Sequence, residues 1–172
     1  TSLSFQGTRT AEVKYENEKT DPEVQVFGVN ENFIPNSGLE VASGRALNYF
    51  DVKNNNSVCV IGSDLQKALL ADVNPINQTI SIRGAKFKVI GVLKEKGSTF
   101  GNNQDLRVLM PLQKARTIYT NANINYSLSV KTDKKDMLEG AQDEAIVLFR
   151  NIRGLNPIEE NNFGIESSDD LI

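Results

Sequence analysis

Between Thr79 and Leu93 two stretches rich in β-branched and aromatic residues flank Gly84-Ala85, and no other pattern constrains the fold of this chain as tightly. Ile80 and Ile82 share one face of the first stretch, and Phe87, Val89 and Leu93 share one face of the second. The pattern predicts a β-hairpin over Thr79–Arg83 and Lys86–Leu93, closed around Gly84-Ala85. Further strand signals lie on both sides of it. Val24–Val29 reads as a strand, Ser57–Ile61 is a continuous apolar run suited to a central strand, and Leu106–Met110 is a short strand. Tyr126, Leu128 and Val130 alternate with polar residues, which predicts a half-buried strand. Phe163 and Ile165 predict a last short strand. Val13 and Tyr15, set among charges, suggest an exposed or edge strand.

Helices are interleaved with these strands. Gly62-Ser63-Asp64 ends the Ser57–Ile61 strand and offers an N-cap oxygen, and Leu65, Ala68 and Leu69 follow at helical spacing. Pro111 suits a first helical position before Leu112, Ala115 and Ile118. Met137, Ala141, Ala145, Leu148 and Ile152 keep helical period for four turns, so a helix over about 134–153 is expected to cover the sheet. Gly154 is a natural stop, and Pro157 blocks continuation. Residues 30 to 56 read mostly as loop. The class is α+β or mixed α/β, with no internal repeat.

The inventory of reactive groups is sparse. The chain has no histidine and one cysteine, Cys59, so it can build neither a Ser-His-Asp triad nor a Cys-His dyad nor an internal disulfide. Cys59 lies in the apolar run Ser-Val-Cys-Val-Ile and reads as a small buried hydrophobe. A zinc site would need carboxylates alone. No Walker A sequence and no GxGxxG is present. A net charge of -3 and a pI near 5.1 do not favour nucleic acid, which wants a basic face. No stretch approaches the ~18 apolar residues needed to span a bilayer. With no catalytic residue, metal ligand or cofactor-binding residue to name, the expectation is a non-enzymatic domain without metal, nucleotide or cofactor. Asp51, Asp64, Asp72 and Asp105 are the carboxylates to weigh for acid–base work; their setting in loops and caps favours structural roles. Aromatics in or beside loops supply the candidate partner contacts: Phe33 with Ile34, Phe50, and Phe100 with Asn102 and Asn103.

The order of short motifs carries a resemblance. Val26-Phe27-Gly28-Val29 is followed by Gly44-Arg45 with Asp51 shortly after, then by Val58–Leu70 and Asn74-Pro75-Ile76. Ile80-Ser81-Ile82, Phe87-Lys88-Val89-Ile90-Gly91-Val92-Leu93 and Met110-Pro111-Leu112 complete the series. Over about residues 24 to 166 this series resembles the periplasmic core domain of MacB-like, FtsX-like ABC transporter permeases. Where the family usually has Gly after Pro-Ile, this chain has Asn77. Asn is the residue after Gly most tolerant of positive φ, so the same turn is expected.

The resemblance implies a two-lobed domain. A porter-like βα subdomain would comprise residues 1–29 and 125–172, without the strand and helix that usually open it. A sabre-like mixed α/β subdomain, residues 30–124, would be inserted within it. The resemblance also implies a soluble fragment of an inner-membrane protein, standing on the periplasmic face, in a permease that is a dimer. A cytoplasmic ATPase, fused or separate, would drive the parent, and a periplasmic adaptor (membrane fusion) protein and an outer-membrane channel would be its partners. The function implied is transmission of ATP-driven motion for efflux. Alternatives are an FtsX-like module that recruits a cell-wall hydrolase and a lipoprotein-releasing permease domain. A small carboxylate hydrolase is a third class. The isolated domain is expected to be a monomer, with any self-contact made through Thr1–Tyr15.

Overall fold

A computed structural model describes residues 1–99, 102–120 and 125–167. In chain order the elements are β1 (Ser2–Ala11), β2 (Val13–Tyr15), β3 (Glu18–Lys19), β4 (Val24–Val29), α1 (Phe33–Asn36), β5 (Val41–Gly44), α2 (Tyr49–Lys53), β6 (Val58–Ile61) and α3 (Ser63–Leu69). They continue with β7 (Thr79–Ile82), β8 (Ala85–Leu93), β9 (Ser98–Thr99), β10 (Asn102–Asn103), β11 (Arg107–Pro111), α4 (Leu112–Ile118), β12 (Tyr126–Ser129) and α5 (Leu138–Ile152), the last entered through a 3-10 turn at Lys135–Met137. The chain divides into two compact units, Thr1–Val130 and Lys131–Ile172.

In the first unit a ten-stranded sheet has the order β12-β1-β4-β11-β6-β8-β7-β2-β3, with β5 added on β8. β8 takes β6 in parallel along one side, and β7 and then β5 along the other. β1 runs between β12 and β4 and continues past Glu12 into β2, which pairs with β7. One continuous stretch of chain therefore joins two distant points of the strand order, and the sheet curls round on itself. The alternation of the strands sorts apolar residues to its two faces. Phe5, Val26, Cys59, Ile61, Ile80, Ile82, Phe87, Val108 and Met110 belong to the larger buried cluster, together with Leu112 and Ala115 of α4. Val29, Val60, Ile90, Leu93 and Leu109 belong to the second, under Ile34, Leu39 and Leu47. Strands buried on both faces read as unbroken apolar runs, which is why β6 and β11 stand out in the sequence.

The motif pairs of the sequence become contacts here. Gly44 has φ +73, and a Cβ built on it would lie 2.1 Å from the Ile90 carbonyl oxygen. A Cβ on Gly91 would lie 2.2 Å from the Arg45 carbonyl oxygen. Arg45 N–H donates to the Ile90 carbonyl at 2.9 Å. Gly44-Arg45 and Ile90-Gly91 are thus the two sides of one backbone-to-backbone approach that no side chain can enter. Asn77 has φ +72, as its place in the Pro-Ile-Asn turn predicts.

β4 pairs with β1 on one side and β11 on the other, so strands from 1–29 and from 30–124 stand in one sheet. Several other expectations are corrected. Ser2–Ala11 form a full strand, and Ser4 and Phe5 have partners on both sides, so this part of Thr1–Tyr15 offers no free edge. The hairpin turns at Arg83-Gly84, both with positive φ (50° and 82°), one residue earlier than the sequence suggests. All four residues of β12 are exposed rather than half-buried.

In the second unit α5 carries Arg150 and Arg153 in its last turn region, and Gly154 at φ +65 ends it. No residue of α5 is buried, although Met137, Ala141, Ala145 and Leu148 read as a core-facing stripe. Phe163 forms no strand; its ring packs on Phe149 at 5.3 Å between centroids, with the Arg153 guanidinium 6.0 Å from its centroid. No helix of the described residues is long and apolar enough to cross a membrane.

Candidate protein-contact surface

α2 is the element whose outward face carries aromatic rings. Its position is set by Asp51, a nearly fully buried carboxylate. Arg45 Nη1 and Nη2 donate to the two Asp51 oxygens at 2.7 and 3.3 Å, Asn56 Nδ2 donates at 3.2 Å, and the Asn48 backbone N–H donates at 3.0 Å. The Asn48 side chain in turn accepts from the Asp51 N–H at 2.9 Å, which completes a reciprocal cap at the start of α2. Burial pushes the Asp51 carboxyl up, but the hydrogen bonds from Arg45, Asn48 and Asn56 and the Arg45 charge outweigh it and hold the group below the usual carboxylate range. The same pair raises Arg45, chiefly through its hydrogen bond to Asp51.

On this fixed turn Tyr49 and Phe50 stand in solvent, 54% and 66% exposed. Their rings meet edge to face at 5.7 Å, and Lys53 Nζ lies 5.7 Å from the Tyr49 centroid. Two adjacent exposed rings on a pinned helical turn are suited to enter a partner's apolar pocket at small entropic cost.

The other sequence candidates fall differently. Ile34 is 5% exposed and belongs to the second buried cluster, so it is core. Phe33 is half-buried and stacks on Phe27 at 6.5 Å and 25°. The apolar spacing Phe33, Ile34, Leu39 that marks a loop anchor equally serves to cap the outer sheet face, and only the fold separates the two. Phe100 lies outside the described residues. Asn102 lies in β10, paired with Thr99. Asn103 spends its amide within the molecule: Nδ2 donates to Asp64 at 2.9 Å and Oδ1 accepts from Asp105 N–H at 2.9 Å.

Asp51, Asp64 and Asp105 each accept hydrogen bonds that hold the fold, while Asp72 stands exposed. Asp105 is buried, and its two oxygens accept the Lys96 and Gly97 N–H groups at 2.7 and 2.8 Å. Its own carbonyl accepts from Asp64 and Leu65 N–H at 3.1 and 3.3 Å, so it also satisfies donors at the start of α3. A Cβ on Gly62 would lie 2.3 Å from that carbonyl. Gly62-Ser63 therefore reflects this close approach and not a side-chain cap, which α3 lacks. Arg107, which sequence reasoning passed over, is buried beside this loop and donates to the Gln104 carbonyl; burial lowers its pKa and the Asp105 charge opposes the shift. Only its place before an apolar strand hinted at such a role. Burial pushes the fully buried Cys59 thiol up, away from the reactive thiolate form.

A curled mixed α/β sheet, with an outer face roofed by a short-helix loop, is the class of domain this fold defines. The family model of the MacB-like periplasmic core domain matches residues 3–147, and the chain belongs to that family. The macrolide export ATP-binding/permease protein MacB of Neisseria meningitidis is 29% identical over 143 residues, covering 83% of this chain and 22% of that protein. The MacB protein of Neisseria gonorrhoeae is 32% identical over 112 residues, covering 65% of this chain and 17% of that protein. The chain thus spans about a fifth of the length of these relatives. Among solved structures, the periplasmic region of MacB from Actinobacillus actinomycetemcomitans matches with a TM-score of 0.76 at 21% identity, covering 98% of this chain and 72% of that one. The extracellular domain of the noncanonic ABC-type transporter YknZ from Gram-positive bacteria matches with a TM-score of 0.70 at 21% identity, covering 90% of this chain and 76% of that one.

Proposed function

We propose that this chain is the non-catalytic periplasmic domain of an ABC-type efflux permease and that it engages a periplasmic adaptor through Tyr49 and Phe50. The observation that carries the contact is the exposure of Phe50 on a turn held by the Arg45–Asp51 pair. Family membership supports the setting: a permease dimer in the inner membrane, an ATPase on the cytoplasmic side, and an outer-membrane channel beyond the adaptor. A non-enzymatic role is supported by carboxylates committed to loop closure and by the lack of histidine. In this reading the sheet transmits motion: the parallel β4–β11 and β6–β8 pairs join distant stretches of chain into one stiff body, so a displacement at one end reaches α2.

The test uses the parent permease with Phe50→Ala and Phe50→Asp. Exposed residues seldom change stability by more than about 0.5 kcal/mol, so the domain's melting midpoint should hold. Adaptor binding measured in detergent should weaken by about tenfold or more, the cost of losing an interface anchor, and export should fall in parallel. Unchanged adaptor affinity in both variants would overturn the contact. Periplasmic pull-down that recovers a cell-wall hydrolase in place of an adaptor would instead support the FtsX-like alternative.

A further inference from the structure

The exposed charge around Tyr49 and Phe50 is all of one sign. From Val41 to Ser63 the sequence carries three charged residues, Arg45, Asp51 and Lys53. Asp51 is buried, and its two oxygens are taken up by Arg45, Asn48 and Asn56. The Arg45 side chain is half exposed beside it, and Lys53 stands in solvent. The ion pairs of the described residues leave Lys53 without a carboxylate. Its Nζ lies over the Tyr49 ring instead, one helical turn back. The ring quadrupole attracts a cation placed there, so the ammonium is held beside the two aromatics.

A third cation joins them. Lys88 is exposed on β8 opposite Val58, and its N–H donates to the Ser57 carbonyl at 2.9 Å, just past the loop that follows α2. Two residues on, Ile90 belongs to the second buried cluster, and Val58 packs against that cluster. Alternation along β8 therefore sets Lys88 on the sheet face that Leu47 covers, two residues before α2. Residues 85–90 hold no acid. Glu40, which precedes β5, is engaged by Lys94 at 2.7 Å. The chain as a whole carries a charge of -3, so the gathering of cations around one aromatic pair does not follow from composition.

We infer that the surface formed by Arg45, Tyr49, Phe50, Lys53 and Lys88 docks an apolar pocket rimmed by carboxylates on a partner protein. The inference rests on the proposed adaptor contact and adds the chemistry of the partner's side. The rings supply the anchor, and the cations steer the encounter and select the partner by charge complementarity. An anionic membrane surface would also attract rings and cations. Asn54 and Asn55 stand exposed directly after the rings, and a hydrogen-bonding protein rim satisfies their amides where acyl chains cannot.

The test follows association and dissociation of the parent permease and its purified adaptor in detergent, at low salt (about 50 mM NaCl) and at about 300 mM. Without substitution, association should slow by about fivefold or more at the higher salt. Lys53→Glu should associate about fivefold more slowly at low salt and lose about half of that salt dependence, with dissociation changed less. Phe50→Ala should do the reverse, dissociating about tenfold faster at a nearly unchanged association rate. Lys67→Glu makes the same change in net charge on α3, whose Leu65 and Leu69 belong to the other buried cluster, and should associate like the unsubstituted protein. Melting midpoints of the charge variants within about 3 °C of the unsubstituted domain would show that the fold is kept. If Phe50→Ala weakens binding while Lys53→Glu associates normally, or no more slowly than Lys67→Glu, the adaptor contact stands and the carboxylate rim is overturned. Unchanged binding in Phe50→Ala overturns both. Sedimentation of the isolated chain with vesicles of about one-third phosphatidylglycerol, lost in both Lys53→Glu and Phe50→Ala, would give this surface to the membrane and overturn the protein pocket.

Discussion

Asp51 is a carboxylate whose setting in the sequence favours a structural role, and the fold shows what that role is. Its two oxygens hold Arg45, Asn56 and the N–H of Asn48, and nothing of the carboxylate is left for chemistry. Burial alone would raise its pKa, yet the bonds from Arg45, Asn48 and Asn56 leave it lowered. A lowered folded-state pKa adds stability that is complete above the unfolded value, about 3.9, and is lost as pH falls through the folded value. The chain should therefore lose stability on acidification below about pH 5, and Asp51→Asn should flatten that acid limb. At pH 7 the same variant should cost about 1–3 kcal/mol, because Arg45 and the start of α2 lose their acceptor. Urea midpoints of both proteins at pH 7, 5 and 3.5 check this; parallel pH dependences would show that the carboxylate is not coupled to folding. The pairing itself was not legible in sequence. Gly44-Arg45 and Asp51 could be seen as recurrent positions, but not that Arg45 reaches across a tight turn to cap the next helix.

At the scale of elements, the readable ones are those whose side-chain period agrees with their burial. β4, β6 and β11 appear in the sequence within a residue of their bounds because they are apolar on both faces or alternate cleanly. β1 was missed because Ser2 and Ser4 occupy buried positions and its outer half bulges, which breaks the period-two pattern. The Phe163 strand failed for the opposite reason: alternation was there, but no strand among the described residues pairs with it. Arg150 organises that stretch instead, donating to the Asn161 side chain at 2.6 Å and to the Asn156 and Glu159 carbonyls at 2.8 and 2.9 Å. Arg150→Ala should free those acceptors and release the loop. Hydrogen exchange is expected to show amides of residues 154–163 exchanging at least about tenfold faster, with β4, β6 and β8 unchanged. Equal protection of the loop in the variant would mean that the Phe149–Phe163 contact holds it alone.

On the scale of the whole molecule, both buried clusters lie within Thr1–Val130, and no residue of α5 is buried. A fragment ending at Val130 should accordingly unfold in a single cooperative transition, with a midpoint within about 5 °C of the full chain; a broad, uncooperative melt in calorimetry would contradict this. The isolated chain should be a monomer at micromolar concentration by light scattering, consistent with a surface whose exposed apolar residues are scattered over several elements. The sequence by itself determined the strand-and-helix alternation, the want of histidine and of a second cysteine, and the family, because these depend on residue type and local order. It could not determine that residues 1–29 share a sheet with residues 30–124, that Ile34 is core while Phe50 is exposed, or that the Tyr119 ring is buried against Gly7 of β1. Those depend on which strand edges meet. Pairing between strands 80 residues apart leaves no mark on local periodicity, since either edge of a strand can accept the same hydrogen bonds. Only the assembled sheet decides which face of each short loop is left for a partner.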